Sequence, residues 1–380
     1  MVIIFGERID MDDRYYWAAL QIAVNLGYRS LYHLYRYFPS GRAVLEADIE
    51  DIKRVPHITP RVFERILQNR HKANPEQTAD KLKKSGTQVT LLGDPNYPCA
   101  LAQIADPPVI LYTRGRLPKP TVPLLAVIGS RRATPYGKAI ARRLAMDLVK
   151  LGWGVISGMA RGIDTAAHEG ALDGGGYTMA VFGCGINICY PRENKKLQER
   201  IEAEGCVLSE FPPDSGPHPR NFPIRNRIIS GCSLGTLVIE AGERSGALIT
   251  AYKALEQGRD VFAIPGSLTS KYSKGTNRLI KQGAKLVECV EDIIEEYPYL
   301  TWEIPPTPKK GSDPTLTLEE SCVLRNLGLE PMHIDQLVEK TGLSVSAVGS
   351  ILTLLEFKGL AKQLPGNYYI NPEIELEPER

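Results

Sequence analysis

The chain has no unbroken apolar run of about eighteen residues, so no helix is expected to cross a membrane. Residues 1–10 carry neither a long apolar core nor a small-residue cleavage pattern, so no secretory signal is expected and a cytoplasmic location is read. No CxxC pair occurs among the seven cysteines. The closest two are Cys184 and Cys189, and no histidine cluster accompanies them. Such spacing reads as reduced, mostly buried thiols, with no metal expected. There is no GxxxxGK[ST] sequence, which speaks against ATP-driven work, and no GxGxxG after the first predicted strand of the sheet. No Ser/His/Asp set is suggested by position, and His168 stands alone. A large surplus of positive charge is also missing: the net charge is +2, so any affinity for nucleic acid must come from local patches.

What remains is an ordinary globular composition over 380 residues, enough for two or three domains. The pattern predicts an α/β protein: a Rossmann-like parallel-sheet domain flanked by an N-terminal helical domain and a C-terminal winged-helix domain. Residues 1–80 read as helical, with Trp17, Leu20, Val24 and then Leu31, Leu34, Phe38 at helical spacing. The stretch Asp51–Thr59 leading into Pro60–Arg70 has the outline of a helix–hairpin–helix, without the usual hairpin glycine. In residues 81–300, apolar runs at Leu124–Ile128, Gly154–Ile156, Thr178–Val181, Cys206–Leu208, Leu234–Ile239, Asp260–Ala263 and Lys285–Val287 alternate with helical patterns. Continuous apolar strands alternating with helices mean a buried parallel sheet. A proline-rich linker is expected at 301–314, and residues 315–380 read as three helices and a hairpin ending Asn367–Ile370. The third of those helices, from Ser344, has no arginine or lysine before Lys358, so it lacks the side chains that usually reach base edges, and a regulatory or protein-binding wing is favoured.

In open parallel sheets ligands sit beyond the C-terminal ends of the strands, so the loops after the strands carry the candidate chemistry. Gly129-Ser130-Arg131-Arg132 follows the first run. Glycine lets backbone approach a phosphate, the helix start beyond it offers free N–H groups, and arginine adds fork-shaped charge. No Asp or Glu occurs from Pro107 to Met146, while eight Lys or Arg do. Ser157-Gly158 opens a second small-residue loop, in which Asp164 is expected as a helix N-cap. Arg192 sits at a turn beside Glu193. The segment His218–Gly231 holds Arg220, Phe222, Arg225, Asn226 and Arg227, and no acidic residue occurs from Ser215 to Ile239. Arginines around one aromatic ring suit a single strand: charge follows the backbone and the ring stacks on a base. The competing reading places Phe222 in the core and pairs Arg225 or Arg227 with Glu210 or Glu240. Ser245-Gly246 and Lys274 would complete a phosphate rim.

Taken together, Gly129-Ser130-Arg131 with Tyr136-Gly137, Ser157-Gly158 with Gly162-Ile163-Asp164, Tyr190-Pro191 with Asn194, Phe222-Pro223 with Arg225-Asn226-Arg227, Glu240-Ala241 with Ser245-Gly246, and Pro265-Gly266 resemble the DNA-processing protein A (DprA/Smf) family. The resemblance covers roughly residues 85–290. It implies a non-enzymatic factor of natural transformation without cofactor, one that binds and protects incoming single-stranded DNA, helps load the RecA recombinase, and dimerises through its Rossmann-like domain. It places Arg131, Phe222, Arg225, Asn226 and Arg227 at or beside a DNA pocket, with Arg192, Arg220 and Lys274 more loosely attached. Arg131 is expected to contact the strand and Arg132 to face solvent. Two other readings stay open. Ser230–Glu240 keeps the Gly-Thr and the glutamate, though not the Pro-Gly-Gly, of nucleotide-processing phosphoribohydrolases, and the C-terminal wing would suit a transcriptional regulator.

Overall fold

The computed structural model describes residues 11–298, 300, 316–328, 331–358 and 360–371. The expected linker, 301–314, lies outside the described residues. The centre is a nine-stranded sheet of β1 (Gln88–Leu91), β2 (Ile110–Gly115), β3 (Leu124–Ile128), β4 (Gly154–Ser157), β5 (Thr178–Val181), β6 (Cys206–Ser209), β7 (Gly235–Val238), β8 (Asp260–Ala263) and β9 (Lys285–Leu286). Their spatial order is β1-β2-β6-β5-β4-β3-β7-β8-β9. From β6 to β9 every neighbouring pair is parallel. Every residue of β3, β4, β5 and β7 is buried, as continuous apolar runs covered on both faces require. The seven expected strands stand within a residue or so of their predicted ends. β1 and β2 were not anticipated. They form an antiparallel hairpin on the edge of β6, and the connection between them holds only the short helix Cys99–Ala102, so no strand–helix alternation announces them.

The chain runs outward from β3 through β4 and β5 to β6, then returns to lay β7 against the other side of β3. That reversal between β3 and β7 is the topological switch point, where neighbouring loops diverge and leave a crevice.

Among the described residues six α-helices precede the sheet: Asp13–Val24, Tyr28–Tyr37, Gly41–Glu46, Ile49–Lys53, Pro60–Asn69 and Pro75–Lys84. Trp17, Leu20, Val24, Leu31 and Leu34 are buried as their spacing predicts, in one apolar cluster with Val89, Ile110, Tyr112 and Phe182 of the sheet region. Polar bonds join the same surfaces: Gln21 donates to the Glu210 carbonyl at 3.0 Å and accepts from the Tyr112 hydroxyl at 2.8 Å. In the hairpin before Pro60–Asn69, His57 takes the left-handed conformation (φ 62°) that glycine usually fills.

The last part is a winged helix. Helices Leu318–Asn326, Ile334–Thr341 and Val345–Phe357 pack around Val323, Leu337, Val348 and Leu352, with β10 (Met332–His333), β11 (Lys362–Leu364) and β12 (Tyr368–Ile370) forming the small sheet. Among the described residues no single helix is long and apolar enough to cross a membrane.

Candidate nucleic-acid interface

At the switch point lies a cleft of about 720 Å³. One wall is Gly129–Arg132 after β3. The opposite walls are the first turns of the helix Asn221–Cys232 and, after β7, the loop Gly242–Ser245 with the first turns of the helix Gly246–Glu256, with Lys271 and Tyr272 at the rim. The helix was not anticipated: its apolar residues Ile228 and Ile229 are buried while its first turns present Phe222, Pro223 and Asn226 to the cleft.

Phe222 is the centre of this surface. It is half-buried, with the Arg131 guanidinium 5.2 Å from its ring centroid, that of Arg225 at 6.0 Å, and the Tyr190 ring at 5.5 Å. Gly183 packs beneath it, where an added Cβ would stand 2.7 Å from the ring. One face of the aromatic is therefore held by the protein and flanked by cations that the ring quadrupole attracts. The exposed charges lining the cleft, Arg131, Arg132, Arg244 and Lys271, are all positive. The carboxylate that lines it, Asp164, is buried.

Both arginines of the helix are buried. Arg225 is buried and donates to the carbonyls of Gly158 (2.8 Å) and Val181, at the ends of β4 and β5. Burial pulls its guanidinium down to about 10, while Asp164 pulls it back up. It braces the floor under Phe222. Arg227 is buried further down the helix, paired with Glu210, 3.6 Å from Asp106, and stacked 4.4 Å from the Tyr28 ring. It does not line the cleft. The pairing with Glu210 weighed in the sequence is the one formed, and it ties the sheet to the N-terminal helices.

The two glycine loops differ from expectation. The helix after Gly129–Arg132 starts at Pro135, capped by Thr134, and the Glu240 carboxylate occupies its entrance: Thr134 N–H donates to Oε2 at 2.9 Å and the Thr134 hydroxyl donates to Oε1. In the second loop, Asp164 is not the N-cap. The helix starts at Ile163 after Gly162 (φ 82°), and the Asp164 carboxylate folds back to accept from Ala160 N–H at 3.3 Å. The loops are sewn together, because Ile163 N–H donates to the Ser130 carbonyl at 3.3 Å. An added Cβ at Gly162 would stand 2.3 Å from that oxygen, and Met159 also has positive φ (59°). Unfavourable backbone concentrated beside a cleft is a mark of a working site.

Of the residues picked from sequence, Gly129, Ser130, Arg131, Phe222, Arg225, Asn226, Ser245 and Gly246 line the cleft. Ser157 is buried with its hydroxyl bonded to the Val127 carbonyl (2.6 Å), and Gly158 lies beneath Arg225. Arg192 and Arg220 are exposed but do not line the cleft, and Lys274 sits 3.6 Å from Glu243. Sequence reading passed over Tyr190, Arg244, Lys271 and Tyr272 as contact residues. The adjacent Lys271-Tyr272 pair, a cation beside an aromatic, was the available signal.

A family model described as DNA recombination-mediator protein A matches residues 88–298, and one described as DprA winged helix domain matches residues 307–367. Protein Smf of Synechocystis is 33% identical over 388 residues, covering 93% of this chain and 98% of that one. The DNA processing protein DprA of Streptococcus pneumoniae is 45% identical over 210 residues, covering 54% of this chain and 73% of that one. A crystal structure of the S. pneumoniae protein superposes with a TM-score of 0.66 at 38% identity, covering 74% of this chain and 97% of that one.

Proposed function

Because the chain belongs to the DNA recombination-mediator protein A family, we propose that its switch-point cleft binds single-stranded DNA without sequence preference. The observation that carries this reading is Phe222, an aromatic with two guanidiniums within 6.0 Å of its ring centroid, in a cleft whose exposed charges are all positive. Charge engages the phosphodiester backbone and the ring offers a stacking platform, which any base can use. A duplex hides its base faces, so the ring gains nothing from it.

The wider role follows from this reading and the family name. The protein coats incoming single strands in the cytoplasm during natural transformation and helps hand them to the RecA recombinase. It acts without catalysis. The glutamate that a phosphoribohydrolase would use corresponds to Glu240, which is buried and already bonded to Thr134. Release of base from a nucleoside monophosphate would revive the enzyme reading.

The deciding measurement is a salt-titrated comparison of single- and double-stranded oligonucleotides. Wild type is expected to prefer the single strand and to weaken steeply with salt. Each phosphate contact contributes about 0.7 to the log–log salt slope for a single strand, so Arg131→Ala should lower the slope by about that amount. Equal affinity for duplex and single strand would sink the proposal.

Dimerisation is proposed through the Rossmann-like domain. Ile249, Tyr252 and Leu255 stand exposed at three-residue steps along the helix Gly246–Glu256, an apolar stripe beside the cleft. Light scattering of Leu255→Glu should show a monomer where wild type is a dimer. A wild type that stays monomeric at the highest soluble concentration would remove this part.

A further inference from the structure

We propose that Glu240 and Asp164 are specificity-determining residues: built-in anions that fill the two phosphate seats of this sheet, turn away mononucleotide phosphates, and leave only the rim to hold a continuous strand. The exclusion of mononucleotides stands on geometry alone; the part about the strand rests on the proposed function.

The first seat is the start of the sixteen-residue helix Pro135–Lys150 at the switch point, where backbone N–H groups and the helix dipole favour an anion. Glu240 reaches it from two residues beyond the end of β7, where the intervening Ile239 N–H donates back to the Ile128 carbonyl of β3 at 3.0 Å. Glu240 is 6% exposed, and its carboxylate takes the Thr134 N–H and hydroxyl, the groups a phosphate would use. Gly137 is matched to it, since an added Cβ there would stand 2.4–2.7 Å from the carboxyl atoms. The second seat, after β4, repeats the device. Asp164 is 7% exposed, accepts from Ala160 N–H, and lies 2.8 Å from where a Cβ on Gly158 would be. At Gly137 the glycine makes room for an internal carboxylate alone; at Gly158 it makes room for a carboxylate together with the Arg225 guanidinium, 2.7 Å from the same Cβ position.

A second anion beside Glu240 would face like charge at contact distance, in surroundings too dry to screen it; beside Asp164 it would compete with the carboxylate for the Arg225 guanidinium that already faces it. A mononucleotide carries one phosphate group and depends on such a seat. A strand carries many singly charged phosphates, each held weakly by a rim guanidinium or ammonium, and gains from their number.

The test uses the full chain as wild type, Glu240→Ala and Glu240→Ser, followed by thermal unfolding in inorganic phosphate and in thymidine 5′-monophosphate at matched ionic strength. Wild type should show no stabilisation. Glu240→Ala opens the seat, and at ten times its dissociation constant phosphate should raise its midpoint by about 3 °C. Glu240→Ser opens the same space with a short polar side chain and serves if the alanine variant does not fold. No gain in either variant, or an equal gain in wild type, overturns the proposal. Gly137→Ala gives a second reading. It should destabilise wild type and cost far less in the Glu240→Ala background; equal costs would show that the carboxylate does not fill the seat. Oligothymidylate binding by the same wild-type sample separates the two ideas, since its absence would count against the proposed function while the phosphate result stands.

Discussion

Phe222→Ala is expected to weaken binding of oligothymidylate by about ten- to a hundredfold, the largest loss from any single change at the cleft. Base–aromatic stacking is worth roughly 1–3 kcal/mol per base, and every 1.4 kcal/mol is tenfold in affinity. The ring also organises its neighbours. Arg131 lies 5.2 Å from its centroid and Tyr190 5.5 Å, so truncation removes the platform and frees the guanidinium beside it. No charge is lost, so the salt slope should stay as in wild type, in contrast to Arg131→Ala. Phe222→Leu distinguishes stacking from packing, because leucine fills most of the space over Gly183 but has no π face. Fluorescence anisotropy at two salt concentrations reads both quantities. If Phe222→Leu binds like wild type, the ring only packs, and the single-strand reading loses its main support.

The second large effect concerns stability. Arg227→Met should destabilise the protein by about 3 kcal/mol at pH 8, since removing one partner of a buried ion pair strands the other. Glu210 is 3% exposed, and burial pushes its carboxyl up to about 7 even against the pull of Arg227. Between the ordinary carboxyl value and about 7, the folded state therefore binds a proton that the unfolded state has released, and stability falls as pH rises through that window. Without Arg227 the carboxyl moves higher still and the fall continues past 7. The deficit of the variant should thus be small near pH 5, where Glu210 is protonated in both proteins, and grow toward pH 8. The Tyr28 ring loses its stacked guanidinium at every pH, which sets a constant floor. Urea unfolding at pH 5, 7 and 8 checks this. A deficit that does not change with pH would show that the Arg227–Glu210 pair contributes nothing beyond packing.

These two residues also mark how far sequence reading reaches. The parallel strands were legible because a strand buried on both faces must be apolar throughout, and Leu124–Ile128 and Thr178–Val181 show that without any fold. The glycine loop was legible because a strand followed by small residues and a helix is a local pattern. The charge of the cleft was legible too, since acidic residues are missing from Pro107–Met146 and Ser215–Ile239.

The division of labour inside the arginine cluster was not. Arg225 and Arg227 are two positions apart, and composition cannot separate a residue that braces Gly158 and Val181 from one that pairs with Glu210. That is decided by helix phase, and the helix Asn221–Cys232 has mixed apolar and charged residues with no clear stripe. Nor could the sequence show that Glu240, about a hundred residues from Thr134, ends at the start of the helix after the glycine loop. Only the parallel pairing of β3 with β7 brings them together. By itself the sequence determined the seven parallel strands, the flanking helical parts and the sign of the charge at the cleft, because burial and local turn chemistry act over a few residues. Tertiary structure alone decided which charges face outward and which loops are already filled, because a charge is neutralised through space by whatever the fold brings within contact distance.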